Sequence, residues 1–435
     1  MMMNPELKRN LWLELSAHRL ILAPVVIFAI AFAARAMLPS LALFGFVLIA
    51  VFWGARQAAA AVIEEARERT WDIQRMSSMD PWAMTWGKLL GSTSIAWYGG
   101  AICLVIYLGS GSGADQGQRL MTAGSVVFGA LLAQTTAMTA GLVGMRLQRR
   151  INTRFSNTLL VVVLLVILGQ VLNIFDATDE ILWYGIAANR LTFITCSTAA
   201  FAAWGITGAY RAMCTELQVR TTPWLWIGFA LFIGLYATGF STGFEPTLTN
   251  IAMRAASNAA VAAIVLSYVA AFSAPRDPID YRRVLRSLIG GRIKRAVEEM
   301  PLWSSSAMLA LFLGLVNLVG GSAPYLSNER FDNLGPTALA LAFMMLRDVA
   351  LLTYFSFSSP ARRTVGMTVI YILMLDALIP AILKLANLDL LATAVMPTSA
   401  MYDTPIFAVV VFAVHLVIAA TLAVRAYRAA LPSFN

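Results

Sequence analysis

The residues of this chain that could do chemistry are few, and they form two groups. Arg347, Asp348, Asp376 and His415 each stand about 11 residues into an apolar stretch, so at 1.5 Å per residue each lies about 16 Å deep, near the middle of a roughly 30 Å hydrocarbon layer. Charges at that depth must be paired or must face water. Two chemistries fit them: a structural Arg–Asp pair with a neighbouring imidazole, or a translocation or proton-relay site. The second group lies in residues 64–91, EEARERTWDIQRMSSMDPWAMTWGKLLG, which hold five acids and four bases between two almost purely apolar stretches. The acids Glu64, Glu65, Glu68, Asp72 and Asp80, with the hydroxyls of Thr70, Ser77 and Ser78, suit recognition of a polar partner surface. A catalytic loop at a membrane surface is the alternative use. A His-rich metal site is excluded, because the two histidines, His18 and His415, stand at opposite ends of the chain. Cys103, Cys196 and Cys214 fall in or beside apolar stretches at no ligand or disulfide spacing and read as small packing residues.

The elements that must position these residues are transmembrane helices. The 435 residues are 59% hydrophobic and 13% charged, too apolar for a soluble domain to hide. Apolar runs of span length recur near 20–38, 41–63, 88–108, 120–145, 156–174, 185–210, 224–243, 254–273, 303–321, 336–357, 365–384 and 404–424. The expected fold is therefore an all-α polytopic membrane protein of about 12 spans. Residues 1–18 are charged and mixed and precede a first span without a small-residue cleavage site, so that span is expected to be retained. The bases alternate. With a cytoplasmic N-terminus, Lys8, Arg9, Arg67, Arg69, Arg75, Lys88, the arginines at 146–154, Arg211, Arg220, seven bases in 274–302, Arg362, Arg363, Arg425 and Arg428 all fall inside, and the opposite loops carry few. Both termini are then cytoplasmic, and the net charge of +9 reflects topology rather than nucleic-acid binding. Only four of the 32 bases are lysine, which with the alanine content points to a bacterial source and an inner-membrane location. Residues 4–18 and 279–300 read as amphipathic helices on the inner surface. The first has Leu7, Leu11 and Leu15 at i,i+4 spacing, and the second has an arginine-rich face suited to anionic lipid headgroups. Among the buried polar residues, Gln134, Gln170, Asn173 and Asn317 are expected to bond between helices.

Helix formers continue past the second span, so that helix is expected to project beyond the membrane, with Glu65 and Arg69 as an attractive i,i+4 pair. It should weaken at Ser77-Ser78. Asp80-Pro81 then reads as a new start, with Asp at the N-cap and Pro at the first helical position. Trp82 and Trp86 suit headgroup depth, and Gly87-Lys88 opens the third span. The result is a protruding elbow with an acidic, hydroxyl-bearing tip.

This pattern resembles the permease subunit of type-2 ATP-binding-cassette (ABC) exporters. The matching residues are Glu64, Glu65 and Glu68, Thr70 and Asp72, Ser77 and Ser78, Pro81, and Gly87-Lys88-Leu89-Leu90-Gly91. Arg69 stands where that family often has Gly, and Ile73, Gln74 and Arg75 stand where it prefers leucines. With the order amphipathic helix, two spans, elbow, span, the resemblance covers roughly residues 1–110. It implies that residues 64–82 are a coupling helix docking on a separate cytoplasmic ATPase subunit, and that residues 4–18 are a connecting helix. Residues 19–220 would then be a six-span permease core with its elbow at 64–88, followed by two further spans in 221–273. A basic amphipathic linker at 274–302 and four last spans in 303–435 would complete the chain. The turn at 356–366, SFSSPARRTVG, echoes MSSMDPWAMTWG and suggests a degenerate second unit. No G-x-x-x-x-G-K-[ST] motif occurs, so ATP would be used by the partner subunit and no cofactor is expected on this chain, which would not itself be an enzyme. Further expected partners are membrane lipids and a second permease copy. An apolar pathway suits a lipid, hydrophobic small molecule or peptide as cargo. The main rival is a twelve-span proton-coupled secondary transporter built on Arg347, Asp348, Asp376 and His415.

Overall fold

The computed structural model describes residues 4–33, 37–68, 71, 74, 76, 79–110, 115–151, 180–240, 248–274, 277–320, 334–358, 364–396 and 405–430. Among them, eight helices are long and apolar enough to cross a membrane, or ten if two bent pairs each count as one span. The chain is an all-α, multi-pass membrane protein. It divides into two compact units, one of residues 1–181 and 187–221, the other of 182–186 and 222–435.

The first unit opens with α1 (Pro5–Glu14) and α2 (Ala17–Ala33), bent by 63° at the break between them. The expected single helix over 4–18 is thus two pieces. Leu7, Leu11 and Leu15 are half-buried, but they are not the side chains that α1 buries fully. Its buried residues are Glu6 and Asn10, while Trp12 and Leu13 are exposed. The reason lies in the helix it packs on. The long helix α3 (Leu38–Arg67) leads towards α4 (Pro81–Ser92), which is followed after a 57° bend by α5 (Ser94–Gly109). Gly87 and Gly91 open a groove on α4 into which α1 descends. A Cβ on Gly87 would stand 2.7 Å from the Glu6 Cβ, and one on Gly91 would stand 2.5 Å from the Asn10 Cβ. This is the small-xxx-small approach that lets helix backbones close on each other. Asn4 caps α1 through Glu6 N at 3.0 Å and Leu7 N at 3.4 Å and also donates to the Ala83 carbonyl, so the start of α1 is tied to α4.

The centre of α3 is π-helical over Val47–Trp53. There the Gly54 N–H reaches the carbonyls of Ile49 and Val51 rather than that of Ala50, its α-helical partner. Gln134, fully buried on α6 (Gln116–Ile151), donates to the Ala50 carbonyl at 2.9 Å and accepts from Trp97 Nε1 on α5 at 3.0 Å. The expected interhelical role of Gln134 is therefore met by a specific defect in the neighbouring helix. Phe46, Ala50, Val51, Ala55, Ala130 and Ala133 form the surrounding core.

Residues 180–189 form a hairpin, β1 (Glu180–Trp183) and β2 (Ile186–Asn189), turned at Tyr184 and Gly185 with φ of +52° and +75°. Two left-handed residues in succession make a two-residue hairpin turn. Asn189 then caps α7 (Arg190–Glu216), accepting from Leu191 N at 3.0 Å. The helix expected from residue 185 therefore starts at 190. The expected span at 156–174, with Gln170 and Asn173, lies outside the described residues.

The second unit contains α8 (Trp224–Thr238), α9 (Leu248–Ser273), α10 (Pro278–Ile289), α11 (Ile293–Glu299), α12 (Leu302–Gly320), α13 (Leu334–Ser358), α14 (Thr364–Leu385), α15 (Asp389–Val395) and α16 (Pro405–Ala430). The helix expected over 224–243 stops at Thr238, and that expected from 254 starts six residues earlier, at Leu248. The basic stretch 279–300 is two helices, because Gly291 takes φ +68° and the Gly290 N–H closes on the Arg286 carbonyl at 3.0 Å, ending α10. Asn317 accepts from Ser257 across α12 and α9, as expected of a buried amide. The core centres on Ala263, Ile264, Met345, Val349 and Leu352, with Ala340, Ala408 and Phe412 beside it. Of the turn echoing the elbow, Ser359 and Pro360 lie outside the described residues.

If Gly91 is the contact that admits α1, Gly91→Leu should cost about 1–3 kcal/mol through overpacking. Thermal unfolding in mild detergent, with limited proteolysis after residue 14, measures it; unchanged stability and an equally protected N-terminus would contradict the groove.

Candidate functional site

The elbow residues are organised around one buried cation. Asp80 caps α4, accepting from Trp82 N at 3.0 Å and Ala83 N at 3.3 Å, and Pro81 is the first helical residue. That start fixes the helical phase. Met84, Gly87, Lys88 and Gly91 then share the inward face at i, i+3, i+4 and i+7, and all four are buried. Lys88 is 1% exposed. Its Nζ donates to Glu6 Oε1 on α1 at 2.9 Å and to Glu65 Oε2 on α3, and lies 5.3 Å from the centre of the buried Trp71 ring. Arg9 spans the same two carboxylates, 3.0 Å from Glu6 Oε1 and in contact with Glu65 Oε1, and Gln74 donates to Glu65 at 2.9 Å. Asn10 donates to the Glu6 carbonyl at 3.0 Å and to the Gly87 carbonyl at 3.4 Å. Two carboxylates thus face two cations. Burial demands that balance, because an unpaired charge withdrawn from water costs several kcal/mol.

Glu65, grouped with Glu64 and Glu68 by sequence, is set apart from them. It turns inward to Lys88, whereas Glu64 and Glu68 are exposed. Glu65 pairs with Lys88 and with Arg9, while Arg69, its expected i,i+4 partner, lies outside the described residues. Thr70, Asp72, Ser77 and Ser78 lie outside the described residues. Trp82 and Trp86 meet edge to face at 5.5 Å, and Trp82 meets Tyr210 of α7 at 5.3 Å. Glu6, Arg9, Asn10 and Gln74 are the members of this node that sequence reading missed. Its available signal was Gly87-x-x-x-Gly91 opposite a helix carrying Glu6 and Asn10 at i,i+4 spacing.

The second unit has its own node. The sequence singled out Arg347, Asp348, Asp376 and His415, and the fold brings the first three into contact. Arg347, 3% exposed, donates to Asp348 Oδ1 through Nε at 2.8 Å and through a terminal nitrogen at 2.7 Å. The same nitrogen reaches both Asp376 oxygens at 2.8 and 2.7 Å. Tyr268 of α9, missed by sequence, donates to Asp348 Oδ2 at 2.6 Å. The Phe412 ring lies 5.6 Å from the guanidinium carbon and 6.1 Å from the His415 ring. Asp376 sits in a π-helical turn, Met374–Leu378. Pro380, four residues on, has no N–H to give the Asp376 carbonyl, which accounts for the irregular ladder there. The arrangement binds α9, α13 and α14 by charge-assisted bonds, with α16 against the guanidinium face.

Comparison of the chain with protein-family models, with curated proteins and with solved structures finds no match.

Lys88→Met should lower stability by about 3–5 kcal/mol, the usual cost of stranding a buried partner, and adding Glu6→Met should recover part of it. Chemical unfolding in detergent reads both. A neutral Lys88→Met would remove the node from the folding balance. By the same reasoning Arg347→Met should cost about 3–5 kcal/mol and be partly relieved by Asp376→Asn. Additive effects of the two substitutions would show that the residues do not act together.

Proposed function

We propose that this chain is the membrane-spanning subunit of an ATP-driven transporter, similar to the permeases of type-2 ABC exporters. Residues 64–82 would dock on a separate cytoplasmic ATPase subunit. The observation that carries the reading is the division of the acids on one helix end. Glu64 and Glu68 are exposed, while Glu65, between them, is tied through Lys88 and Glu6 to α4 and α1. A docking surface must present free polar groups to its partner. It must also be rigidly joined to the spans it moves, because a ligand shifts an equilibrium only through contacts that differ between the two states. The elbow combines both properties. In this reading ATP is hydrolysed by the partner, no cofactor binds here, and a second permease copy completes the pathway in a bacterial inner membrane. The cargo is a lipid, hydrophobic small molecule or peptide, moved outward.

The rival reading, a proton-coupled secondary transporter, rests on the Arg347 node. Both oxygens of Asp348 and both of Asp376 accept bonds there, an arrangement that favours cross-linking of spans over a freely exchanging carboxylate.

The test is co-purification of the tagged full-length chain from its native membrane in mild detergent, with mass spectrometry of bound proteins. The expected result is a stoichiometric ATPase subunit with wild type, lost when Glu68→Lys and Asp72→Lys are combined, with the spans still folded. A chain that purifies alone and carries protons in liposomes would overturn the proposal in favour of its rival.

A further inference from the structure

A cavity of about 450 Å³ opens in the first unit between α1 and the polar end of α3. Its α3 wall has a vertical order of charge. Arg56, Ala60, Glu64 and Glu68 follow one another at i,i+4 spacing and so share one helix face. Eight residues separate Arg56 from Glu64, about 12 Å along the axis, with only alanines between them on this face, since Ala61 lines the adjacent ridge. Arg56, Glu64 and Glu68 are all exposed, and none of them enters an ion pair with the described residues. The other charged wall residues are already matched: Glu14 with Arg19 at 2.9 Å, and Glu65 and Arg9 in the Lys88 node. Gln57 lines the same cavity, and its buried Oε1 has no hydrogen-bond partner among the described residues. Below Arg56 the lining turns apolar at Trp53, and Leu13 supplies an apolar flank from α1.

From the membrane side outward the order is apolar, cationic, small, anionic. A zwitterionic phospholipid headgroup has the complementary order: acyl chain, phosphate, linker, ammonium. We infer that this cavity binds the headgroup of an aminophospholipid. The phosphate would lie on Arg56, the primary ammonium on Glu64 with Glu68 above it, and the first acyl carbons over Trp53. The buried Gln57 amide gains a polar partner at phosphate depth. A lipid with an uncharged glycerol headgroup would satisfy Arg56 but offer Glu64 and Glu68 no cation. A quaternary ammonium would lack the N–H donors that a carboxylate pair accepts. The site therefore selects phosphatidylethanolamine over phosphatidylglycerol and phosphatidylcholine. It shares Glu64 and Glu68 with the proposed docking face, so it is tested without an ATPase subunit, where the two readings fail separately.

Native mass spectrometry of the purified full-length chain tests this. Mixed micelles containing equal amounts of phosphatidylethanolamine, phosphatidylglycerol and phosphatidylcholine supply the probes, with no ATPase subunit present. The expected result is preferential retention of phosphatidylethanolamine, reduced several-fold by Arg56→Gln and by Glu64→Gln, with both variants monodisperse. Equal retention of the three lipids by wild type would overturn the assignment. So would undiminished phosphatidylethanolamine binding by both variants. Should either variant fold poorly, the comparison of lipids on wild type decides alone.

Discussion

A charge taken into a low-dielectric interior must bring its counter-charge with it, and the fold of each unit is arranged to meet that demand. Neither a packed protein interior nor hydrocarbon offers water to solvate an ammonium or a guanidinium. Lys88 is 1% exposed, so the helices that supply Glu6 and Glu65 have to come to it. That requirement draws α1 onto α4, and the glycines at 87 and 91 make the approach sterically feasible. Arg347 acts in the same way in the second unit, taking Asp348 from its own helix and Asp376 from α14, while Tyr268 completes the bonds of Asp348. In each case a buried cation specifies which helices meet and at what height. Apolar packing, which is non-directional, leaves that choice open.

The two irregular helical segments serve the same end. In α3 the π-helical turn releases the Ala50 carbonyl to the buried amide of Gln134, which in turn accepts from Trp97, so three helices share one polar chain. In α14 the π-helical turn carries Asp376 to Arg347 just before Pro380 interrupts the ladder. A regular helix has no spare backbone group for a neighbour. A local change of pitch creates one, and π-helical turns recur at sites with specific work to do.

Around the end of α3, three acids within five residues have different surroundings. Glu65 is held by two cations, and Glu64 and Glu68 remain exposed at the edge of a cavity floored by Arg56 and Trp53. Paired and solvent-exposed carboxylates therefore sit on adjacent faces of one helix. Glu65 and Lys88 tie this end of α3 to α1 and α4 through ion pairs.

What the sequence determined by itself is the part of the protein governed by local and one-dimensional physics. Span-length apolar runs fix the all-helical membrane class, and the Asp80-Pro81 start of α4 follows from capping chemistry. The depth of Arg347, Asp348 and Asp376 is likewise countable along the chain, and it marked those residues as needing partners. Tertiary structure decided which partners they have. Glu6 and Asn10 lie off the Leu7–Leu11–Leu15 stripe and drew no notice, because periodicity ranks positions by hydropathy and has no means of weighing a buried lysine 82 residues from Glu6. Glu65 could not be told from Glu64 and Glu68 for the same reason. Tyr268 was an ordinary aromatic in an apolar run until α9 brought its hydroxyl to Asp348. Pairing depends on which helices share a height and a face, and that information exists only once the helices are packed.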